Sequence, residues 1–136
     1  MQDDIILNKF DSIKNCLKSI RDNYPDSREK FCHSFLHQDA AVLNIQRAAQ
    51  TAIDIASHVV RLKKLSLPRE SRDLFDALYK NKIITEETKT RMVNMVGFRN
   101  IAVHEYKRLD VNVVISVIEK HLTDFERFMH EIFQAD

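Results

Sequence analysis

A single glycine, Gly97, and two prolines, Pro25 and Pro68, in 136 residues limit how often this chain can turn sharply. All-β folds spend both residue types on frequent tight turns, so the scarcity points to a few long helices. The apolar positions agree. Ile6, Phe10, Ile13, Leu17 and Ile20 follow alternating steps of four and three, which places them on one helical face. Tyr24-Pro25 should end that helix, because proline disfavours helical geometry in the residue before it. Asp26-Ser27 can cap a short segment through Phe35.

Asp39 reads as the cap or first turn of a long helix reaching about Leu65, with Val42, Ile45, Ala49, Ala52, Ala56 and Val59 in the same rhythm. Its alanines permit a neighbouring helix to approach closely. Leu67-Pro68 breaks the pattern. A shorter helix from about Glu70 to Lys80 buries Leu74, Phe75 and Leu78. Thr85 with Thr88 is a partial capping signature, and Glu86 and Glu87 suit a helix N-terminus. The next helix carries Met92, Val96, Arg99 and Val103 on its apolar stripe, so Arg99 needs a partner. The last runs through Val111, Ile115, Ile118, Leu122, Phe125, Met129 and Ile132. The expected fold is an all-α bundle of about five helices, one domain over residues 1–136.

Hydrophobic residues at 44% and charged residues at 30% describe an ordinary globular chain rather than a disordered one. The net charge of +1 excludes nucleic-acid binding by a global field, so any RNA contact must use a local patch. Cys16 and Cys32 read as two thiols in helix interiors, not a disulfide framework. No apolar run has the length of a membrane span, and Met1-Gln2-Asp3-Asp4 lacks a basic signal-peptide start. A cytoplasmic protein without membrane contact is expected.

The segment Arg99-Asn100-Ile101-Ala102-Val103-His104-Glu105-Tyr106 concentrates chemistry. Metal-free phosphodiester cleavage needs a cation to hold the phosphate and a group titrating near neutral pH to move protons. Arg99 and His104 are of those types, and Asn100 could add a hydrogen bond. On the motif alone the plainer reading is favoured: Arg99 bonded to helix-end carbonyls and His104 as a C-terminal cap. On an unbroken helix the two residues also lie about 140° apart. A shared site then needs the helix to end near His104, or groups from two protomers meeting across a symmetric interface.

Other candidates read as structural. His33 and His37 stand four apart but lack further ligands, so no metal site is expected. His58 should pack with Asp54, and His121 and His130 should lie on the surface of the last helix. Arg61, Lys63, Lys64, Arg69 and Arg72 read as a solvated face, with an RNA track as the alternative.

From Asp39 to about Met129 the chain resembles the HEPN superfamily, specifically HepT-like toxins of bacterial toxin–antitoxin pairs. Two carrying stretches are Leu43-Asn44-Ile45-Gln46-Arg47-Ala48-Ala49-Gln50 and Ala52-Ile53-Asp54-Ile55-Ala56-Ser57-His58. Arg72-Asp73-Leu74-Phe75, Met92-Val93-Asn94-Met95-Val96-Gly97-Phe98-Arg99-Asn100 and Val103-His104-Glu105-Tyr106 complete the pattern. The resemblance implies a metal-independent endoribonuclease, without cofactor, that cuts transfer or messenger RNA as a homodimer. It maps the catalytic pair onto Arg99 and His104 and reverses the plainer reading above. It also implies a minimal nucleotidyltransferase antitoxin, MntA-like, that silences the toxin by attaching AMP to Tyr106. Asp39 is the candidate for an acidic residue used by some members, where it would orient Arg99 or His104; as a bare sequence feature it is equally a helix cap. Lys107 and Arg108 would add RNA contacts, two copies converging in one cleft. The competing class is a non-catalytic helical subunit that binds a nucleotide or the nucleotidyltransferase without cutting RNA.

Overall fold

Serine, threonine and aspartate caps set most of the helix boundaries in the computed structural model, which describes residues 1–136. Asp3 accepts the Ile6 N–H at 3.1 Å and starts α1 (Asp4–Asn23), which stops at Tyr24 before Pro25. Ser27 caps a single turn, α2 (Arg28–Cys32). Ser34 caps α3 (Phe35–Leu62), and Gln38 closes the corner by donating to the carbonyls of Phe31 and Cys32 at 2.9 and 3.1 Å. Then follow α4 (Ser71–Lys80) and α5 (Glu86–His104). Thr85 caps α5 by accepting the Thr88 N–H at 3.2 Å, as its spacing suggested. A 3₁₀ turn (Tyr106–Arg108) leads to α6 (Val111–Ser116), a π turn (Val117–His121) and α7 (Leu122–Gln134), which follow one another without a gap.

The bundle is all-helical, and the expected long segments are all present. α3 is its axis. At 28 residues it is about 42 Å long, and it packs on α1, α4 and α5. Ala48, Ala49, Ala52 and Ala56 are buried where neighbouring helices cross it. Ile6, Ile13, Ile45, Ile55, Leu78, Phe125 and Ile132 are fully enclosed in one cluster of 35 side chains. Phe75 of α4 meets Phe128 of α7 edge-on, ring centres 5.5 Å apart. No helix is long and apolar enough to cross a membrane.

Several local expectations change. α3 begins at Phe35 because Ser34 supplies the cap, so Asp39 lies in the second turn and caps nothing. The short segment expected to run through Phe35 ends at Cys32 for the same reason, which leaves Cys32 exposed at a helix end. His58 turns toward α1, its Nε2 3.3 Å from both Asp3 carboxylate oxygens, while Asp54 takes the Gln50 amide. His121 is half-buried by the π turn, with Nδ1 3.0 Å from Asp124 and 3.4 Å from Arg91. His33 and His37 fall on different elements, and Ser34 Oγ engages His37 Nδ1.

Glycine scarcity leaves a mark on the helix ends. Lys64 and Lys82 follow α3 and α4 with φ of 57° and 61°, the left-handed position that glycine normally fills. The N–H of Leu65 bonds back to the Val60 carbonyl, and that of Ile83 to Leu78, both at 2.9 Å. The side chain at each bend therefore costs about 1 kcal/mol. Lys82→Gly and Lys64→Gly should each raise the melting temperature by ~3–5 °C, read by thermal circular dichroism.

Candidate active site

α5 carries most of the candidate residues, and its faces send them to different places. Arg99 is half-buried against the start of α4, where its Nη2 donates to Ser71 Oγ at 3.3 Å. Its Nε is buried and bonds to nothing. No carboxylate pairs with this guanidinium. Arg99 and Asn100 line an open cleft of about 310 Å³ together with Val96 and the Arg69-Glu70-Ser71-Arg72 corner. Glu70, the N-cap of α4, makes no side-chain cap bond, so the positive end of the α4 dipole opens into the same cleft. Glu70 Oε2 lies 3.6 Å from Arg72 Nε, so Arg69, Arg99 with its unsatisfied guanidinium N–H, and the helix dipole are what make a place for an anion. The plain alternative for Arg99, bonding to helix-end carbonyls, does not match this geometry.

His104 is the last residue of α5 and is exposed, with no hydrogen bond from its imidazole within the chain. The Glu105 N–H still bonds to the Ile101 carbonyl at 2.8 Å, so the helix is regular up to His104. The helix does end at His104, the first of the two arrangements by which a shared site could form. One chain nonetheless holds Arg99 and His104 about 140° apart around the axis.

Tyr106 is not a continuation of the α5 face. It sits in the 3₁₀ turn beyond the helix end, and its hydroxyl donates to Asp39 Oδ1 on α3. The sequence expectation paired Asp39 with Arg99 or His104; the fold gives it to Tyr106 instead. The reason is register: with Ser34 capping α3 and Phe35 starting it, Asp39 comes to the surface where the chain leaves α5. Partial burial, followed by the bond to the Asp39 carboxylate, pushes the Tyr106 hydroxyl up to about 12. Tyr106 is therefore neutral at physiological pH, and 45% of it remains exposed.

Lys107 and Arg108 are both exposed on the 3₁₀ turn, where Arg108 Nη1 pairs with Glu105 Oε2 at 2.5 Å. Ser71 was not legible as a site residue, since nothing in its neighbourhood of sequence announces a contact 28 positions away. Arg69 and Arg72, read as a solvated face, sit on the rim of the Arg99 cleft.

On the other side of α5 lies a larger groove of about 570 Å³, floored by Met95, Phe98 and Val117. Gly97 opens onto it, and a Cβ built there meets nothing within 4 Å. Ile101 and Val113 border the groove, 38% and 48% exposed.

Comparison with known proteins agrees with this architecture. The family model Ribonuclease HepT-like matches residues 13–132. A curated relative from Shewanella oneidensis, an mRNA nuclease HepT, is 43% identical over 129 residues, covering 95% of this chain and 96% of its own. A tRNA nuclease HepT from Aphanizomenon flos-aquae is 29% identical over 106 residues, 78% of this chain and 72% of its own. A solved structure of the tri-AMPylated Shewanella oneidensis HEPN toxin with its MNT antitoxin superposes with a TM-score of 0.92 at 42% identity, over 97% of this chain and 98% of that one. With its helical order, its Arg-x₄-His segment at the end of α5 and these matches along nearly its whole length, the chain belongs to the HepT-like ribonuclease family of HEPN proteins.

Proposed function

We propose that this chain is the toxin of a bacterial toxin–antitoxin pair, acting as one domain over residues 1–136 and cutting RNA without a metal ion. The observation that carries the reading is Arg99: a half-buried guanidinium with an unsatisfied Nε, no carboxylate partner and an open cationic cleft in front of it. A buried cation left without an anion is costly unless a ligand supplies one. A phosphodiester fits, because the planar guanidinium can take two of its oxygens.

In this mechanism the ribose 2′-hydroxyl attacks the adjacent phosphorus. Arg99 holds the phosphate and the charge that builds on its oxygens, while His104 moves the proton as base or acid. Asn100 adds a donor within the same cleft, while Lys107 and Arg108, on the turn after α5 where Arg108 borders the larger groove, would contact flanking phosphates. The nuclease names of the two curated relatives support RNA as the substrate, messenger or transfer.

The 140° between Arg99 and His104 is bridged by a second copy, so that the arginine of one protomer works with the histidine of the other. Gly97 supports this. A glycine inside a helix costs about 1 kcal/mol relative to alanine, and nothing in the chain requires one here. Close approach of a partner's backbone along the groove beside Ile101 and Val113 would require it. Gly97→Leu should therefore weaken the dimer at least tenfold and shift it to monomer in sedimentation velocity, with helicity unchanged. An unaltered dimer would move the interface elsewhere.

Silencing follows from AMP attachment to Tyr106 by an MntA-like nucleotidyltransferase, a reading supported by the AMPylated relative in complex with MNT antitoxin. The added phosphodiester brings negative charge and bulk beside the groups that should receive RNA. The test is cleavage of total and transfer RNA by purified protein in excess EDTA, before and after treatment with the cognate nucleotidyltransferase and MgATP. Cleavage that survives EDTA and vanishes with the gain of AMP at Tyr106 is expected. An unmodified wild type that cuts nothing would favour the non-catalytic subunit.

A further inference from the structure

We propose that Asp39 positions the Tyr106 hydroxyl for adenylyl transfer and takes up its proton as the bond to AMP forms. This inference rests on the reading of Tyr106 as the modified residue and names the group in this chain that prepares it.

A tyrosine hydroxyl is a weak nucleophile while it keeps its proton, and this one keeps it tightly. Partial burial and its bonding raise it to about 12, so essentially no phenolate exists near neutral pH. Attack then needs a base already in contact with the oxygen. Asp39 Oδ1 accepts the Tyr106 O–H directly, which satisfies the geometric condition for a base. The donor is fixed as well as polarised. Its bond spans from the turn after α5 to the second turn of α3, so the hydroxyl is held against a rigid helix although Tyr106 itself lies outside one. The pair is also open to a delivered nucleotide. Asp39 is exposed, and Tyr106 is 45% exposed. Phe35 and Leu36, one turn before Asp39, are likewise 80% and 78% exposed.

The step balances without any further reactant. Tyr106 Oη attacks the α-phosphorus of a nucleoside triphosphate brought by the transferase. An O–P bond forms, the bond from the α-phosphorus to its bridging oxygen breaks, and pyrophosphate leaves with that electron pair. The phenolic proton passes to Asp39 Oδ1 and then to solvent. Once AMP is attached, the tyrosine oxygen has no proton to donate, and its phosphodiester lies against the Asp39 carboxylate. Repulsion between the two anions then favours release of the 3₁₀ turn from α3.

The experiment follows AMP incorporation by intact mass, with full-length wild type, Asp39→Asn, Asp39→Glu and Tyr106→Phe, the cognate nucleotidyltransferase and MgATP. Rates are read from pH 6 to 9.5 with the transferase's own pH dependence measured on free nucleotide. Asp39→Asn should be modified about 10²–10³-fold more slowly at neutral pH. Its rate should climb with pH as hydroxide replaces the lost base, whereas the wild-type rate stays nearly flat. Asp39→Glu should restore much of the rate. A merely structural Asp39 would lower the rate without changing the pH profile, and that result overturns the inference. So does Asp39→Asn modified at the wild-type rate. Wild type modified elsewhere, with Tyr106→Phe modified equally well, would instead overturn the Tyr106 reading itself.

Discussion

Arg99→Ala and His104→Ala are each expected to lower RNA cleavage in EDTA by about 10²–10⁴-fold while leaving the fold intact. The magnitude is that of removing a proton-transfer group or a charge-stabilising donor from a phosphoryl transition state. His104 is exposed and bonds to nothing in the chain, so its removal should barely touch stability. Arg99 contacts only Ser71, through a 3.3 Å bond, and its truncation relieves an unsatisfied Nε at the same time. Arg99→Lys separates charge from geometry. Lysine keeps the positive charge but not the planar fork, so it should recover only part of the activity. Circular dichroism and denaturant midpoints check the fold, and gel-resolved cleavage checks the rate. If the site spans two protomers, equal mixing of Arg99→Ala with His104→Ala should restore cleavage, since one of two composite sites becomes intact. Failure of subunit-exchanged mixtures to recover activity would place the whole site within one chain.

Phe75→Ala should be the most damaging single change in the core, at about 3–5 kcal/mol. Phe75 is fully buried and meets Phe128 edge-on at 71°, so truncation leaves a cavity and breaks an aromatic pair. Against a typical total of about 5–15 kcal/mol, that loss brings the protein near its unfolding threshold. Urea titration should show a much lower midpoint with an unchanged slope. The consequence reaches function. α4 is only 10 residues long and holds Leu74, Phe75 and Leu78 as its buried anchors, while its first turn forms one wall of the Arg99 cleft. Phe75→Leu, which keeps most of the volume, should lose far less of both stability and activity.

What could be read in the residues was whatever depends on periodicity and local chemistry. The four-three spacing from Ile6 to Ile20 is the buried face of α1, and the alanines of α3 are buried at its crossings. Arg99 on an apolar stripe demanded a partner, and the Arg-x₄-His spacing already showed that one straight helix could not join the two. These conclusions survive because a helix repeats every 3.6 residues wherever it is placed.

Contacts between distant segments were a different matter. Ser71 with Arg99, Asp3 with His58 and Asp39 with Tyr106 all join residues far apart in the chain. Each depends on the rotation and register of two packed helices, and a shift of one residue turns a side chain by about 100°. Ser34, rather than Asp39, capping α3 shows how much one cap decides: it places Asp39 in the second turn, within reach of Tyr106. By itself the sequence determined an all-helical chain and set an arginine, a histidine and a tyrosine close together at the end of α5. Only the tertiary structure decided that Arg99 faces a cationic cleft and that Asp39 holds the tyrosine, because packing, not spacing, sets which helix faces meet.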